Sequence, residues 1–147
     1  MSIAVIYTDL DGTLLDHHTY SFEAALETVH ALHDRGVPIV PCTSKTRAET
    51  AEVMNAAGLS GPMIVENGAA IWVPNDWGLA RPAGAEDTSE AWCHSFGPSR
   101  GMVRRQLAIL DVEWGNRYQS LCDLSDKQVR AITGLDAESA ARAKDRH

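Results

Sequence analysis

Ile3-Ala4-Val5-Ile6-Tyr7-Thr8-Asp9-Leu10-Asp11-Gly12-Thr13 opens the chain with a β-branched apolar run that turns at once into acidic residues and a glycine. Ile3 to Tyr7 have the length and composition of a buried strand. The polar stretch from Asp9 to Thr19 predicts a loop. Beyond it, Ser21 is placed to cap a helix whose apolar positions Phe22, Ala25, Leu26, Val29 and Leu32 recur at three and four, with Gly36 as its stop. Val37–Cys42 predicts a second strand, although Pro38 and Pro41 demand local exceptions to its ladder. Thr46-Arg47-Ala48-Glu49 has the form of a capping box and opens a helix that Gly58 ends. Pro62–Val65 predicts a third strand, and Asn67-Gly68 a hairpin turn into Ala70–Val73. Strand–helix–strand–helix–strand implies right-handed crossovers and a parallel α/β sheet.

Past Pro74 the character changes. Residues 74–88 carry Pro74, Asn75, Asp76, Gly78, Pro82 and Gly84 and read as a linker. Ala91–Phe96 then predicts a strand, Arg100–Leu110 a helix, Ser125-x-x-Gln128 the cap of a shorter helix, and Asp136 the cap of a last one over Ala137–Arg146. The expected division is residues 1–83 as the α/β part and 84–147 as a second, α+β unit. No stop signal follows the last helix, so the chain is expected to end inside it.

Composition bounds the function. The chain has 147 residues, about one domain's worth, and a formal net charge of −7. Residues 1–34 hold six acidic residues (Asp9, Asp11, Asp16, Glu23, Glu27, Asp34) and no Lys or Arg. Nothing forms the basic stripe of a nucleic-acid binder, so no nucleic-acid partner is expected. No apolar run approaches the roughly 18 residues of a membrane span, and Met1–Val5 lacks the basic start of a signal peptide. Cys42, Cys93 and Cys122 are odd in number, with no CxxC pair, which points to a reducing, cytoplasmic setting.

In an open parallel sheet, ligands bind beyond the carboxyl ends of the strands. Here the first three strands deliver Asp9-Leu10-Asp11-Gly12-Thr13, Thr43-Ser44-Lys45 and Glu66-Asn67-Gly68 to that edge. Asp9 and Asp11 are two apart, so extended backbone directs both carboxylates to one face. Such a pair favours a bound divalent cation, or a shared proton. A strand-end carboxylate can act as metal ligand or nucleophile, and its neighbour as general acid. Each piece also has a plainer reading. Asp and Gly favour turns, Asn-Gly is a common turn, and Lys45 can be a solvated lysine ahead of a helix. His17 and His18 fit an exposed loop, and His30 and His33 share a helix face without further ligands. Trp72, Trp77, Trp92 and Trp114 fit packing roles. Arg100, Arg104, Arg105 and Arg117 fit either a solvated helix or recognition of a carboxylate.

The strings Y-T-D-L-D-G-T-L-L-D (7–16), P-C-T-S-K-T-R-A-E (41–49) and E-N-G-A (66–69) together resemble the haloacid dehalogenase-like (HAD) hydrolases, in particular their mannosyl-3-phosphoglycerate phosphatase branch. T-G-L-D-A-E-S-A-A-R-A-K-D-R (133–146) is similar to the cap of that branch. The resemblance implies an α/β, Rossmann-like core with a parallel sheet and an inserted α+β cap, and a Mg²⁺-dependent phosphomonoesterase. Asp9 would be the nucleophile that becomes an aspartyl-phosphate, and Asp11 the general acid and base. Asp9 and Asp11 would hold magnesium. Leu10, Thr43 and Ser44 would hold the phosphate, with Thr43 aligned to the hydroxyl position and Ser44 one residue from it. Lys45, Glu66, Asn67 and Gly68 would face the substrate. That substrate would be mannosyl-3-phosphoglycerate, with glucosyl-3-phosphoglycerate or another sugar phosphate as the alternative.

Two motifs implied by the resemblance are missing: a later lysine and a G-D-x-x-x-D acidic pair. Lys45, Lys127 and Lys144 stand in other contexts. The expectation is an incomplete core plus part of a cap, C-terminally truncated within the cap. An inactive fragment is the competing reading, and an exposed sheet edge can serve as a template for self-association.

Overall fold

Pro41 decides how far the first sheet extends. A computed structural model of the chain describes residues 4–115, 117 and 119–146. In it β1 (Ile6–Thr8) and β2 (Ile39–Pro41) pair in parallel, Ile6 opposite Ile39 and Thr8 opposite Pro41. The Ile6 N–H donates to the Pro38 carbonyl at 2.9 Å and the Cys42 N–H to the Thr8 carbonyl at 2.7 Å. Backbone groups alternate sides along a strand, so Pro41 faces the other way, toward the third strand, where it has no N–H to give. The expected ladder there shrinks to a single parallel bridge between Cys42 and Ile64, with the Thr43 N–H donating to the Ile64 carbonyl at 3.0 Å. The chain is thus α/β as expected, but among the described residues its extended parallel pairing is limited to two strands. β1 also starts later than expected: Ile3 lies outside the described residues, and Ala4 and Val5 precede the strand.

β3 (Met63–Val65) belongs instead to an antiparallel sheet in the order β3-β4-β6-β5, with β4 Ala70–Pro74, β5 Glu86–Asp87 and β6 Ala91–Ser95. The expected hairpin at Asn67-Gly68 forms, with Val65 opposite Ala70. Its turn is a correction: four residues, 66–69, connect the strands, and Glu66, Asn67 and Gly68 all have positive φ (52°, 58° and 87°). Strands on both sides of residue 84 share this sheet, because β6 pairs with β4 along five residues from Ala70–Ser95 to Pro74–Ala91. Residues 74–88, expected as a linker, carry β5 and two backbone pairs to the β6 end, Asn75 N–H to Glu90 O and Thr88 N–H to Ala91 O.

α1 (Glu23–His33) and α2 (Arg47–Ala56) cover the strands. Val29, Ile39, Met54, Ala57 and Leu59 form one buried cluster between them, and Val65, Ala70 and Cys93 a second under the antiparallel sheet. The helix expected from Ser21 starts at Glu23 behind Phe22, and Ser21 serves it from one residue outside by accepting the Glu23 N–H. α3 (Arg100–Trp114) runs four residues beyond its expected end and buries none of its residues. Trp92 is buried, Trp77 lies against Gly61, and Trp72 sits under Arg47, but Trp114 is exposed rather than packed. α4 (Asp126–Thr133) and α5 (Ala137–Lys144) enclose a third cluster of Leu124, Val129 and Ala140. α5 stops at Lys144, before the expected Arg146. No helix among the described residues is long and apolar enough to cross a membrane.

The capping box at Thr46 forms as expected and does more. Its hydroxyl accepts the Glu49 N–H at 3.2 Å, the Glu49 carboxylate accepts the Thr46 N–H at 2.9 Å, and the same hydroxyl donates to the Arg142 carbonyl at 2.9 Å. With Arg142 also paired to Glu52 at 2.6 Å, this buried threonine ties α5 to α2. Thr46→Val keeps the shape and removes the two bonds of the hydroxyl, to the Glu49 N–H and the Arg142 carbonyl. It should lower the unfolding free energy by about 1–2 kcal/mol, read from the urea midpoint, with Thr46→Ser near the parent. An unshifted midpoint in the valine variant would refute this role.

Candidate functional site

The three strand-end segments singled out in the sequence converge. Asp9, Asp11, Cys42, Thr43, Ser44, Ile64, Asn67 and Gly68 line one cavity of about 480 Å³. A larger cavity of about 630 Å³ lies elsewhere, lined by Arg104, Arg117, Asp111 and Asp123 among others. Its charges are balanced, and Arg104 is paired with Asp123. The chemistry of paired carboxylates resides in the first.

The β1 end is shaped by alternation. Leu10 is fully buried, which leaves Asp9 exposed and Asp11 half-buried on the outer side. The Leu10 carbonyl accepts both the Thr13 N–H at 3.2 Å and the Leu15 N–H at 2.8 Å, so the chain turns tightly, with Gly12 at φ 72° inside the turn. The Leu10 N–H donates to the Asp9 carboxylate at 2.7 Å. That group, expected at a phosphate, therefore orients Asp9.

The second and third segments are laced together. Thr43 is 4% exposed, and its carbonyl accepts the Asn67 N–H at 2.9 Å. The Lys45 carbonyl accepts the Glu66 N–H at 3.0 Å, and the Thr43 hydroxyl accepts the Lys45 N–H at 3.2 Å. These bonds hold Glu66 and Asn67 in the left-handed region, which non-glycine residues keep only where their surroundings impose it. Ser44 is exposed, and its carbonyl receives a guanidinium N–H of Arg146 at 3.3 Å.

Lys45, Leu10 and Glu66 do not line the cavity themselves, but Lys45 reaches Asp11. Its ammonium lies 2.8 Å from Asp11 Oδ1. That oxygen is sealed from solvent and receives no hydrogen bond of regular geometry, so the contact is an ion pair rather than an aligned bond. The same ammonium lies over the Tyr20 ring, 5.6 Å from its centre. Burial, and then the charge of Asp9, push the Cys42 thiol up, which keeps this cavity-lining sulfur protonated and a poor nucleophile.

Asp9 and Asp11 present hard oxygen donors, the type a magnesium ion takes from protein while substrate oxygens and water complete its shell. Among the described residues no group of three or more His, Cys, Asp or Glu is arranged to hold a metal. Of the residues that line the cavity, Asp9 and Asp11 are the carboxylates, and they fit a divalent cation in kind. His17 and His18 are exposed in the loop after Asp11, and His30 and His33 remain on the α1 surface. Sequence reasoning missed Tyr20, Cys42 and Ile64. Tyr20 follows the expected loop directly and carries no motif or periodic signal.

A family model described as haloacid dehalogenase-like hydrolase matches residues 6–89. A glucosyl-3-phosphoglycerate/mannosyl-3-phosphoglycerate phosphatase of Methanococcoides burtonii is 37% identical over 140 residues, 95% of this chain and 52% of the relative. A protein of the same name from Persephonella marina is 45% identical over 73 residues, 50% of this chain and 27% of the relative. The chain thus spans about half the length of the first of these relatives. Among solved structures, a phosphatase of the haloalkanoate (HAD) enzyme superfamily from Bacteroides thetaiotaomicron superposes with a TM-score of 0.58 at 20% identity, over 92% of this chain and 48% of that one. A haloacid dehalogenase-like hydrolase from B. subtilis gives 0.50 at 20% identity, over 96% and 50%. At such identities the structural likeness concerns the fold.

Proposed function

The chain belongs to the haloacid dehalogenase-like hydrolases, and from that premise we propose that its Asp9–Asp11 cavity cleaves the phosphate monoester of a sugar–glycerate, mannosyl-3-phosphoglycerate or its glucosyl counterpart. The observation that carries the reading is the convergence of Asp9, Asp11, Thr43 and Asn67 on one cavity from three separate strand ends. The names of the two relatives support this substrate class.

In this reading the Asp9 carboxylate, oriented by the Leu10 N–H, attacks phosphorus. A phosphorus–oxygen bond to Asp9 forms as the bond to the leaving glycerate oxygen breaks, and Asp11 supplies the proton that oxygen needs. Asp11 then takes a proton from water as that water attacks phosphorus. The aspartyl-phosphate breaks, inorganic phosphate leaves and Asp9 is restored. In this reading the buried Thr43 hydroxyl donates to a phosphate oxygen; that both Thr43 and Ser44 line the cavity supports it. Magnesium, held by the Asp9 carboxylate and by Asp11 through its main-chain carbonyl, would neutralise charge between nucleophile and phosphate. In this reading residues 1–83 carry the chemistry, and 84–147 serve as a cap unit whose strands β5 and β6 continue the sheet of β3 and β4.

The test is phosphate release from mannosyl- and glucosyl-3-phosphoglycerate by this 147-residue chain, with Mg²⁺ or with EDTA. Release is expected with Mg²⁺, and a loss of about a hundredfold or more is expected on chelation. No release above the blank for either ester would overturn the reading for this chain and leave a fold that does not turn substrate over.

A further inference from the structure

We propose that Tyr20 is a positioning residue: its ring holds the Lys45 ammonium at the Asp11 side of the cavity, where that cation meets the oxygens of an incoming phosphate ester. The proposal rests on the phosphate-ester reading above. Three observations carry it. The ammonium lies 5.6 Å from the ring centre and 2.8 Å from Asp11 Oδ1, so an aromatic face and a carboxylate flank one cation. The Lys45 backbone is fixed at both its groups, the N–H on Thr43 Oγ1 and the carbonyl on the Glu66 N–H, so only the side chain is left to move. Tyr20 itself is held out of ordinary conformation. It has φ 56°, and its N–H donates to the Asp16 carbonyl at 3.0 Å. The Asp16 carboxylate in turn accepts the His18 and Thr19 N–H groups at 3.0 and 2.8 Å.

The physical consequence is a cation with two stations and one constant neighbour. In the structure the ammonium sits on Asp11. If Asp11 is to give a proton to a leaving oxygen, it must part from the lysine and take up a proton from water, and the lysine then needs a new anionic partner. A phosphate oxygen in the cavity lined by Asp11, Thr43 and Ser44 provides one. An aromatic face attracts a cation without competing for its hydrogen bonds, so the ring can stay in place while the partner changes. This use needs the face of the ring and not its hydroxyl. It also gives the polar 12–20 loop a task that its exposure alone does not explain, namely aiming one aromatic at one lysine.

Two measurements on the intact chain test it. The first is competitive acetylation of lysines read by mass spectrometry, with exposed Lys127 on α4 as internal reference. Tyr20→Leu should raise the Lys45:Lys127 labelling ratio about two- to fivefold, and Tyr20→Phe should keep it near the parent value. The second is calorimetric binding of inorganic phosphate in the presence of Mg²⁺. Tyr20→Leu should weaken it about two- to fivefold, with Phe restoring the parent affinity. Lys144, as sheltered as Lys45 and ion-paired with Asp126, reports a general loosening of the fold, which would raise the labelling of Lys45 and Lys144 together. An unchanged ratio in Tyr20→Leu, or Phe behaving as Leu, overturns the proposal. If the parent chain binds no phosphate while the ratio moves as expected, the placement of Lys45 by Tyr20 stands and the phosphate reading of the cavity fails.

Discussion

Asp9→Asn is expected to lower phosphate release from mannosyl-3-phosphoglycerate by about a thousandfold or more, which corresponds to about 4 kcal/mol of lost transition-state stabilisation. The substitution is nearly isosteric. The amide oxygen can still accept the Leu10 N–H, now at 2.7 Å, so the tight turn should survive. What disappears is the anionic oxygen that forms the covalent bond to phosphorus, together with one negative donor for the cation. The effect should be the same for any leaving group, because every substrate needs the nucleophile. Asp11→Asn should behave differently. Its loss should slow a glycerate ester, whose alkoxide leaves poorly without a proton, far more than p-nitrophenyl phosphate, whose phenolate leaves unaided. Steady-state rates for both variants on both esters separate the two roles. An Asp9→Asn protein that keeps more than about a tenth of the parent rate would remove Asp9 from the covalent step.

What could be read from the sequence divides by the distance over which the cause acts. The Thr46 box lies within four residues, and the structure contains both of its reciprocal bonds. The turn of Asp9–Thr13 follows from an apolar strand meeting Asp and Gly, again a local cause. The hairpin after Val65 was legible, but its turn was not. Glu66 and Asn67 take their left-handed shape from the carbonyls of Lys45 and Thr43, which a window around Asn67-Gly68 does not contain. The same reason hid the partner of β6. Its alternation marks a strand, yet nothing in residues 91–95 says that the strand lies against β4 rather than in a separate unit. Pro41 was visible as an exception, but its effect depended on which side of the strand its missing N–H would face. The three clusters of polar residues at the strand ends were legible because strand direction alone brings them to one edge. The Tyr20–Lys45–Asp11 contact was not, since an exposed loop aromatic carries no periodic signal.

The residue between the two acidic groups is expected to matter nearly as much to stability as they do to chemistry. Leu10 is 0% exposed, and it is the anchor from which Asp9 and Asp11 project outward. Leu10→Ala removes buried apolar volume at a point where the backbone is already committed, its carbonyl shared by Thr13 and Leu15 and its N–H given to Asp9. The surroundings can collapse little into the space, so the cost should lie in the range of about 2–5 kcal/mol found for such truncations. With a urea slope of about 1–3 kcal/mol per molar for a small protein, a loss of that size moves the midpoint by about 1 M or more. Leu10→Met conserves volume and should cost less than about 1.5 kcal/mol. The comparison discriminates between two sources of the effect. If the turn's hydrogen bonds alone held this segment, alanine would be tolerated as well as methionine, since both keep the main chain intact. A midpoint for Leu10→Ala within error of the parent would show that the site is held by its backbone. A large drop with methionine near normal would place the anchoring in the buried side chain, and would make the spacing Asp-Leu-Asp a packing requirement as well as a chemical one.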